Sequence, residues 1–127
     1  MPRLTSIAPV FSVADVDATI RWYEDHLGCV SYPFPSNPPY VFAIVSRDDI
    51  EIMFQRIDGY QRAEVYHLRS GGLWDAYFRM NGVSQLYEAI KENVEIKQPL
   101  RQQPYGAWEF EVRDPNGYLL VFSEMSE

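Results

Sequence analysis

The chain contains only three side chains of the two types most used in nucleophilic and transition-metal chemistry, histidine and cysteine. Its two histidines are His26 and His67, and its single cysteine is Cys29. His26 lies in the last turn of a predicted helix, and Cys29 follows that helix, where the dipole disfavours a reactive thiolate. The sequence has no glycine-rich phosphate loop and no Ser/His/Asp motif in a supporting context. We therefore assign no catalytic residue.

The composition is typical of one globular domain that can bury a core. Of 127 residues, 46% are hydrophobic and 15% aromatic, and no apolar run approaches the length of a membrane span. The first residues, MPRLTSIAPVF, lack the pattern of a secretory signal, so we expect a cytoplasmic protein without a membrane partner. One cysteine excludes an internal disulfide and any multi-cysteine metal site.

The acidic charge balance limits the partners. A formal net charge of −7 with scattered arginines argues against binding to nucleic acid, which requires clustered basic residues. An acidic protein attracts cationic ligands at long range. The alternative interpretation is that the acidity only keeps the protein soluble.

The first half of the chain predicts the order strand, helix, three strands. Val16, Ile20, Tyr23 and Leu27 follow helical spacing and predict a helix over 16–27, which begins after an Asp15 N-cap and ends at Gly28. Alternating or apolar segments predict strands at 5–13, 29–34, 40–46 and 50–56.

The second half repeats this pattern after a connection at 57–72. Val83, Tyr87, Ile90 and Val94 stand 67 residues after the helical set of the first half. Strands are predicted at 74–80, 95–101, 107–113 and 118–123, the last two joined by the Asp-Pro-Asn-Gly turn at 114–117. The sequence therefore predicts an α+β fold in one domain, built from two βαβββ modules at 1–56 and 73–127. In each module a helix covers one face of a curved mixed sheet and the other face forms a groove.

Several segments in this order resemble the vicinal oxygen chelate superfamily, and most closely its bleomycin-resistance branch. The segments that carry the resemblance are Ala8-Pro-Val-Phe-Ser-Val-Ala-Asp-Val, Arg21-Trp-Tyr-Glu-Asp-His-Leu-Gly28, the Arg47-Asp-Asp turn, Gly82-Val-Ser-Gln-Leu-Tyr87, Gln103-Pro-Tyr-Gly106, Glu109-Phe110 and Asp114-Pro-Asn-Gly117. The superfamily includes glyoxalase I, extradiol dioxygenases, fosfomycin-resistance enzymes and bleomycin-resistance proteins.

The resemblance also implies where a catalytic metal would bind, because enzymes of the superfamily hold a divalent metal on the groove face. The equivalent positions here are Ala8, Asp75 and Val121, and Glu51 and Gln55 face the same groove. Ala8 and Val121 have no donor atom, which leaves too few ligands for a tight site. We therefore predict no metal and no cofactor.

A binding groove has better support among the residues. Aromatic side chains and Met53 would provide apolar contact, while Glu51 and Asp75 would supply negative charge to orient a cation. The predicted ligand-binding residues are Val10, Ser12, Tyr40, Glu51, Met53, Asp75, Tyr77, Arg79, Tyr105, Trp108 and Val121. Glu109 and Glu111 alternate with Trp108 and Phe110, and a solvated face is the alternative to ligand contact for these two acids.

The resemblance implies the function and the assembly. The resistance proteins sequester a large cationic glycopeptide in an acidic, aromatic groove, where an aromatic residue at the position of Tyr105 contributes. They form homodimers, often with an exchanged N-terminal strand, and we expect a homodimer here. We therefore expect a metal-independent binder of a cationic or aromatic small molecule. The alternatives are a metal-dependent lyase, isomerase or dioxygenase with an atypical ligand set, and a binder of an unrelated hydrophobic metabolite.

Overall fold

The chain divides into two compact units, Met1–Gln61 and Arg62–Glu127. The structure is a computed structural model that describes residues 1–69 and 73–126. The division lies within the predicted connection at 57–72. Residues 70–72 of that connection, with its two adjacent glycines, and residue 127 of the second predicted module lie outside the described residues.

The first unit has the predicted order of one strand, one helix and three strands. Its elements are β1 Val10–Val13, α1 Val16–Leu27, β2 Val30–Phe34, β3 Phe42–Arg47 and β4 Ile50–Arg56. The sheet order is β1-β4-β3-β2, with β1 parallel to β4 and the other neighbours antiparallel. The alternation of each strand gives the sheet one face that packs against α1 and one that does not.

The bounds of α1 agree with the sequence pattern because both ends have strong local signals. Asp15 accepts a hydrogen bond from the backbone N–H of Ala18 at 3.0 Å, and Gly28 adopts a left-handed conformation with φ of 65°. The apolar side of the helix is buried, and the Tyr23 ring lies 4.9 Å from the ring of Phe54 on β4. Cys29 follows the helix, and burial raises the pKa of its thiol to about 11, which disfavours the thiolate.

The second unit has the same order and topology. Its elements are β5 Ala76–Arg79, α2 Val83–Ile90, β6 Glu95–Gln102, β7 Ala107–Arg113 and β8 Leu119–Met125. The sheet order is β5-β8-β7-β6, with β5 parallel to β8. The ring of Tyr87 on α2 lies 5.1 Å from that of Phe110 on β7, which identifies the face that carries the helix. The prediction of an α+β fold with two βαβββ modules is confirmed.

Several element bounds differ from the predictions, most of them by one or two residues. The strand β1 begins at Val10 rather than residue 5, β5 is limited to Ala76–Arg79, and α2 ends at Ile90, so Val94 is outside it. Before β1, the carbonyl of Pro9 joins the sheet by accepting a hydrogen bond from the N–H of Met53 at 3.0 Å. In the described residues, no helix has the length and apolar character needed to cross a lipid bilayer.

We call the face of each sheet that does not pack on its helix the helix-free face. In the second unit, the strand registers align its side chains in two rows across all four strands. The first row is Arg79, Ser123, Glu109 and Arg101, and the second is Tyr77, Val121, Glu111 and Gln98.

Candidate functional site

Two adjacent carboxylates lie near the centre of the helix-free face of the second unit. Glu109 and Glu111 belong to β7, which has β8 on one side and β6 on the other. Their relative exposures are only 3% and 4%. The interpretation that these two acids form a solvated face is therefore wrong. We call Glu109, Glu111 and the aromatic residues that donate hydrogen bonds to them the carboxylate site.

Both carboxylate oxygens of Glu109 accept hydrogen bonds from tyrosines. The hydroxyl of Tyr105 donates to Oε1 at 2.7 Å, and the hydroxyl of Tyr77 donates to Oε2. Ser123 places its Oγ 2.8 Å from the same Tyr77 hydroxyl. Burial, and then the bond to Glu109, raises the pKa of Tyr77, so this hydroxyl remains a proton donor at neutral pH.

Glu111 is held by a second pair of aromatic donors. The indole N–H of Trp74 donates to Oε1, and the hydroxyl of Tyr66 donates to Oε2 at 3.2 Å. Gln98 donates to the Tyr66 hydroxyl at 2.8 Å and thereby orients it. Burial raises the pKa of Glu111, although the bonds from Trp74 and Tyr66 oppose this effect by stabilising the ionised form.

Neither carboxylate has a counter-charge at contact distance. Among residues 1–69 and 73–126, no Lys, Arg or His forms an ion pair with Glu109 or Glu111. Other acids of the second unit do have such partners, since Glu64 and Glu95 both pair with Arg113. The carboxylate site therefore combines burial and aromatic donors with two carboxylates that form no direct ion pair among the described residues, although Arg79 and Arg101 stand in the same row as Glu109.

Asp75, which we expected to offer its charge to a ligand, is already neutralised. Arg62 pairs with it through Nη2 to Oδ1 and Nε to Oδ2, both at 2.8 Å, and the backbone N–H of Leu119 donates to Oδ2 at 2.8 Å. A bidentate Arg–carboxylate pair of this kind leaves little free acceptor capacity. The expectation for Asp75 is corrected, and its contacts give it a structural role.

The other predicted residues of the second unit fall into three groups. Tyr77 and Tyr105 belong to the carboxylate site, and Arg79 lies beside it with its Cζ 5.4 Å from the Tyr77 ring centroid. Val121 lies between Tyr77 and Glu111 in its row, but its exposure of 0% leaves no surface for a ligand to contact. Trp108 pairs with Glu124, and both lie on the face of the sheet that carries α2. The prediction that Trp108 lies in the groove is therefore corrected, because successive residues of a strand point to opposite faces.

The predicted residues of the first unit lie mainly on its helix-free face. Val10 and Met53 are neighbours in one row of this face. Ser12 and Gln55 are neighbours in the next row, where the amide of Gln55 donates to the hydroxyl of Ser12 at 3.1 Å. Glu51 is exposed on β4. This face is more apolar than that of the second unit, and the row of Val10 and Met53 continues through Ile44 and Tyr32.

Tyr40 occupies a separate position in the first unit, in the segment before β3. The backbone N–H of Tyr40 donates a hydrogen bond to the carboxylate of Asp17 at 3.0 Å. Tyr40 lines an open cavity of about 470 Å³ at the start of α1 together with Asp15, Asp17, Arg21 and Arg56.

The residues at the metal positions of the superfamily's enzymes do not fit a metal ion. Ala8 and Val121 have no donor atom, and both oxygens of Asp75 are bound to Arg62. In the described part of the chain, no three His, Cys, Asp or Glu residues are grouped in a way that could hold a metal. We therefore derive no chemical step through a metal.

Sequence reasoning missed Trp74, Tyr66 and Gln98 and left the role of the two glutamates open. The useful signal was the position of Glu109 and Glu111 on a strand with neighbours on both sides, because both faces of an inner strand are usually covered. Tyr66 could not be assigned by periodicity, since it lies in a short 3-10 turn, Tyr66–Leu68, within the irregular connection.

Comparison with known proteins places the chain in a family. The family model described as the glyoxalase/bleomycin resistance protein/dioxygenase superfamily matches residues 4–122, and the chain belongs to this superfamily. None of the curated protein sequences matches the chain.

Solved structures show the same fold at low sequence identity. TioX from Micromonospora sp. ML1 has a TM-score of 0.76 at 18% identity, covering 96% of this chain and 99% of its own. The bleomycin-binding protein from Streptomyces verticillus, complexed with copper(II)-bleomycin, has a TM-score of 0.70 at 24% identity over 100% of both chains. A glyoxalase-related enzyme from Clostridium phytofermentans has a TM-score of 0.74 at 18% identity over 98% of both chains.

Proposed function

We propose that this chain is a metal-independent small-molecule binding protein of the bleomycin-resistance type, which sequesters a cationic, aromatic ligand at the carboxylate site. The observation that carries the proposal is the pair of buried glutamates, Glu109 and Glu111, which have aromatic donors but no ion-pair partner among the described residues. The bleomycin-binding protein of the same superfamily supports the ligand class.

Glu109 and Glu111 place two adjacent carboxylates where little water reaches them. A carboxylate removed from water is unfavourable unless it is paired and hydrogen-bonded. Tyrosine and tryptophan donors supply the hydrogen bonds at Glu109 and Glu111, but they supply no positive charge. A cationic ligand would provide the missing charge in an environment where attraction is stronger than in water.

The aromatic residues would determine how the ligand approaches. The exposures of Trp74 and Tyr105 are 46% and 54%, whereas those of the glutamates behind them are 4% or less. A ligand therefore meets ring faces first, and the carboxylates act on it through the rings. Rings of this kind attract both cations and flat aromatic groups, which suits a ligand that carries both.

Sequestration requires affinity and no turnover, so the direct test is binding. We expect calorimetric titration with metal-free bleomycin to show saturable heat with one ligand per carboxylate site. Absence of both heat and a shift in melting temperature at high drug concentration would contradict sequestration of this drug. Binding of an uncharged hydrophobic compound with no response to any cation would favour the unrelated-metabolite alternative.

The enzymatic alternative is separated by metal analysis of the purified protein. A metal-independent binder should lose adventitious metal on dialysis against a chelator and keep its full affinity for bleomycin. Stoichiometric Ni, Zn, Mn or Fe that survives dialysis, with affinity lost only when it is stripped, would contradict metal independence and favour a lyase, isomerase or dioxygenase.

We further propose that the protein acts as a homodimer, with the N-terminal segment exchanged between copies. Two large apolar side chains before β1 support this, since Leu4 and Ile7 are 99% and 95% exposed. Burying both against a second copy would be favourable by roughly 1.5–3 kcal/mol for each side chain. Light scattering should give about twice the 14.8 kDa of one chain, and deletion of residues 1–8 should shift the protein towards monomer. A wild-type mass of one chain at all concentrations would contradict the proposal.

A further inference from the structure

Arg79 is a charged side chain that lies beside the carboxylate site, over the ring of Tyr77. It is the exposed last residue of β5, and its guanidinium Cζ lies 5.4 Å from the ring centroid of Tyr77. Among the described residues, no Asp or Glu lies within ion-pair distance of this guanidinium. The described contact of Arg79 is therefore with an aromatic face.

The same arrangement occurs twice around the site. Tyr77 donates its hydroxyl to Glu109 and has Arg79 over its ring, while Tyr66 donates to Glu111 and has the Nζ of Lys97 4.7 Å from its ring centroid. Each carboxylate is thus linked through a tyrosine to a cation of the chain itself. The hydrogen bond to a carboxylate makes the phenol ring more electron-rich, which strengthens its attraction for a cation over its face.

The two resident cations differ in how firmly they are held. Lys97 also lies 3.8 Å from Glu95 and its side chain is only 24% exposed, so a second contact retains it. Arg79 is exposed and has no such partner in the described part of the chain. An exposed cation–π contact is worth about 0.5–1 kcal/mol and is easily replaced. The face of Tyr77 is therefore the more accessible of the two.

We propose that Arg79 is a built-in competitor for the ligand, because its guanidinium occupies the face of Tyr77 on which the ligand's cationic group binds. The proposal rests on the proposed binding function and specifies its ligand class. A cation that replaces a guanidinium on a ring face gains no hydrogen-bond acceptor there, so the site favours weakly hydrated guanidinium and N-alkylated ammonium groups. Primary ammonium groups and hydrated metal ions lose more hydration energy and are disfavoured.

The ligand class is tested with two probes that share a benzyl group. Benzyltrimethylammonium and benzylammonium carry the same charge and the same ring but differ in their hydrogen-bond donors. We expect the wild-type protein to bind benzyltrimethylammonium at least about 3-fold more tightly in calorimetric or NMR titrations at one ionic strength. Equal or tighter binding of benzylammonium would overturn the assignment of ligand class.

The competitor role is tested with Arg79→Met, which keeps an apolar stem and removes the cation. We expect this variant to bind benzyltrimethylammonium about 3- to 10-fold more tightly than the wild type. Lys91→Met is the matched control, because it removes a positive charge from a similar contact on the helix side of the sheet, where the Nζ of Lys91 lies 5.6 Å from the ring centroid of Tyr87 on α2. Its affinity should stay within about 2-fold at an ionic strength that screens exposed charges.

The outcomes separate this proposal from the binding function itself. Unchanged or weaker binding by Arg79→Met, in a protein that still binds bleomycin, would overturn only the competitor role. An equal gain in Lys91→Met would also overturn it, since general charge would then explain the effect. If neither protein bound bleomycin or either probe, the proposed function would be overturned as well. Circular dichroism and melting temperature, expected to be unchanged for this exposed position, verify that the variants are folded.

Discussion

The two sheets share one topology but differ sharply on their helix-free faces. In the first unit the central row is Val10, Met53, Ile44 and Tyr32; in the second it is Tyr77, Val121, Glu111 and Gln98. Ile44 and Glu111 are separated by the same 67 residues that separate the two helices, as are Phe42 and Glu109. The same βαβββ topology can therefore carry either an apolar or a charged helix-free face, depending on the residue types at a few alternating strand positions.

The first face leaves its apolar groups accessible, whereas the second covers its charges. Val10 and Tyr32 are 50% and 59% exposed, while Glu109 and Glu111 are almost fully buried beneath aromatic side chains. Apolar groups at a surface require no partners. Buried carboxylates do require partners, and four aromatic side chains donate hydrogen bonds to the two carboxylates of the second face.

The largest expected effect comes from making the second face resemble the first. Glu111→Ile introduces the residue found at the equivalent position and removes one of the two charges. We expect the affinity for bleomycin to fall by about 10- to 100-fold, because charge is lost and Trp74 and Tyr66 lose their acceptor.

The control for this experiment is Glu88→Gln, which removes the same charge from an exposed position on α2 where it pairs with Lys91. Its affinity should not change measurably by calorimetry. If Glu111→Ile bound bleomycin as tightly as the wild type, the second face would have no special role and the contrast between the sheets would lose its functional meaning.

The second prediction concerns an acid of the second unit that has a counter-charge. Arg62→Met removes the bidentate partner of Asp75 and leaves its carboxylate with the Leu119 N–H. We expect the free energy of unfolding to fall by about 2 kcal/mol in urea denaturation, since a largely buried charge becomes uncompensated. Cation affinity should be nearly unchanged. If Arg62→Met lost much of its affinity for the cation while its free energy of unfolding stayed normal, Asp75 would instead be a ligand-binding residue.

The third prediction uses the way in which the two helices begin. The side chain of Asp15 caps α1, whereas the N-cap of α2 is Gly82, which has no side chain. The backbone N–H groups of Gly82 and Val83 instead donate to Oε1 of Glu124 on β8, both at 3.0 Å. Glu124→Ala should reduce the free energy of unfolding by about 1 kcal/mol, as should Asp15→Ala. Thermal or urea unfolding would reveal the loss, and no change in either variant would show that these caps contribute little.

The fourth prediction is a pH dependence of cation binding. Burial raises the pKa of Glu111 above its ordinary value of 4.5; Glu109 raises it further, and Arg101 opposes the shift. Affinity for a cation depends on the ionised form, so it should be full well above this raised pKa and decline as the pH falls through it. Because the pKa of Glu111 is higher in the folded than in the unfolded protein, its protonation adds to the free energy of unfolding. This contribution is fully present below the pKa of the unfolded state and is lost as the pH rises through the pKa of the folded state.

Titration with bleomycin between pH 7 and pH 4.5 would measure this decline. The Glu111→Gln variant should bind more weakly at neutral pH and should show a flatter profile. An identical profile in both proteins would assign the titration to another group, such as one on the ligand.

Local signals predicted much of the fold but only part of the site. The helix α1 was predicted to the residue because Asp15 and Gly28 mark its ends, and β4 and β7 agreed as well. The pairing of Arg62 with Asp75 could not be predicted, because it joins the irregular connection to the start of a strand. Trp108 was placed on the wrong face because a shift of one residue reverses a strand's orientation, and only the register with β8 shows its side.

The central claim is that Glu109 and Glu111 bind a cation because they are buried without an ion-pair partner in the described part of the chain. The most direct measurement is calorimetric titration of the wild type and of Glu109→Gln/Glu111→Gln with metal-free bleomycin at pH 7.5. Glutamine keeps the shape and part of the hydrogen bonding while removing both charges, so we expect saturable binding in the wild type and affinity lower by at least about 100-fold in the folded double variant. Equal affinity in the two proteins would contradict the claim.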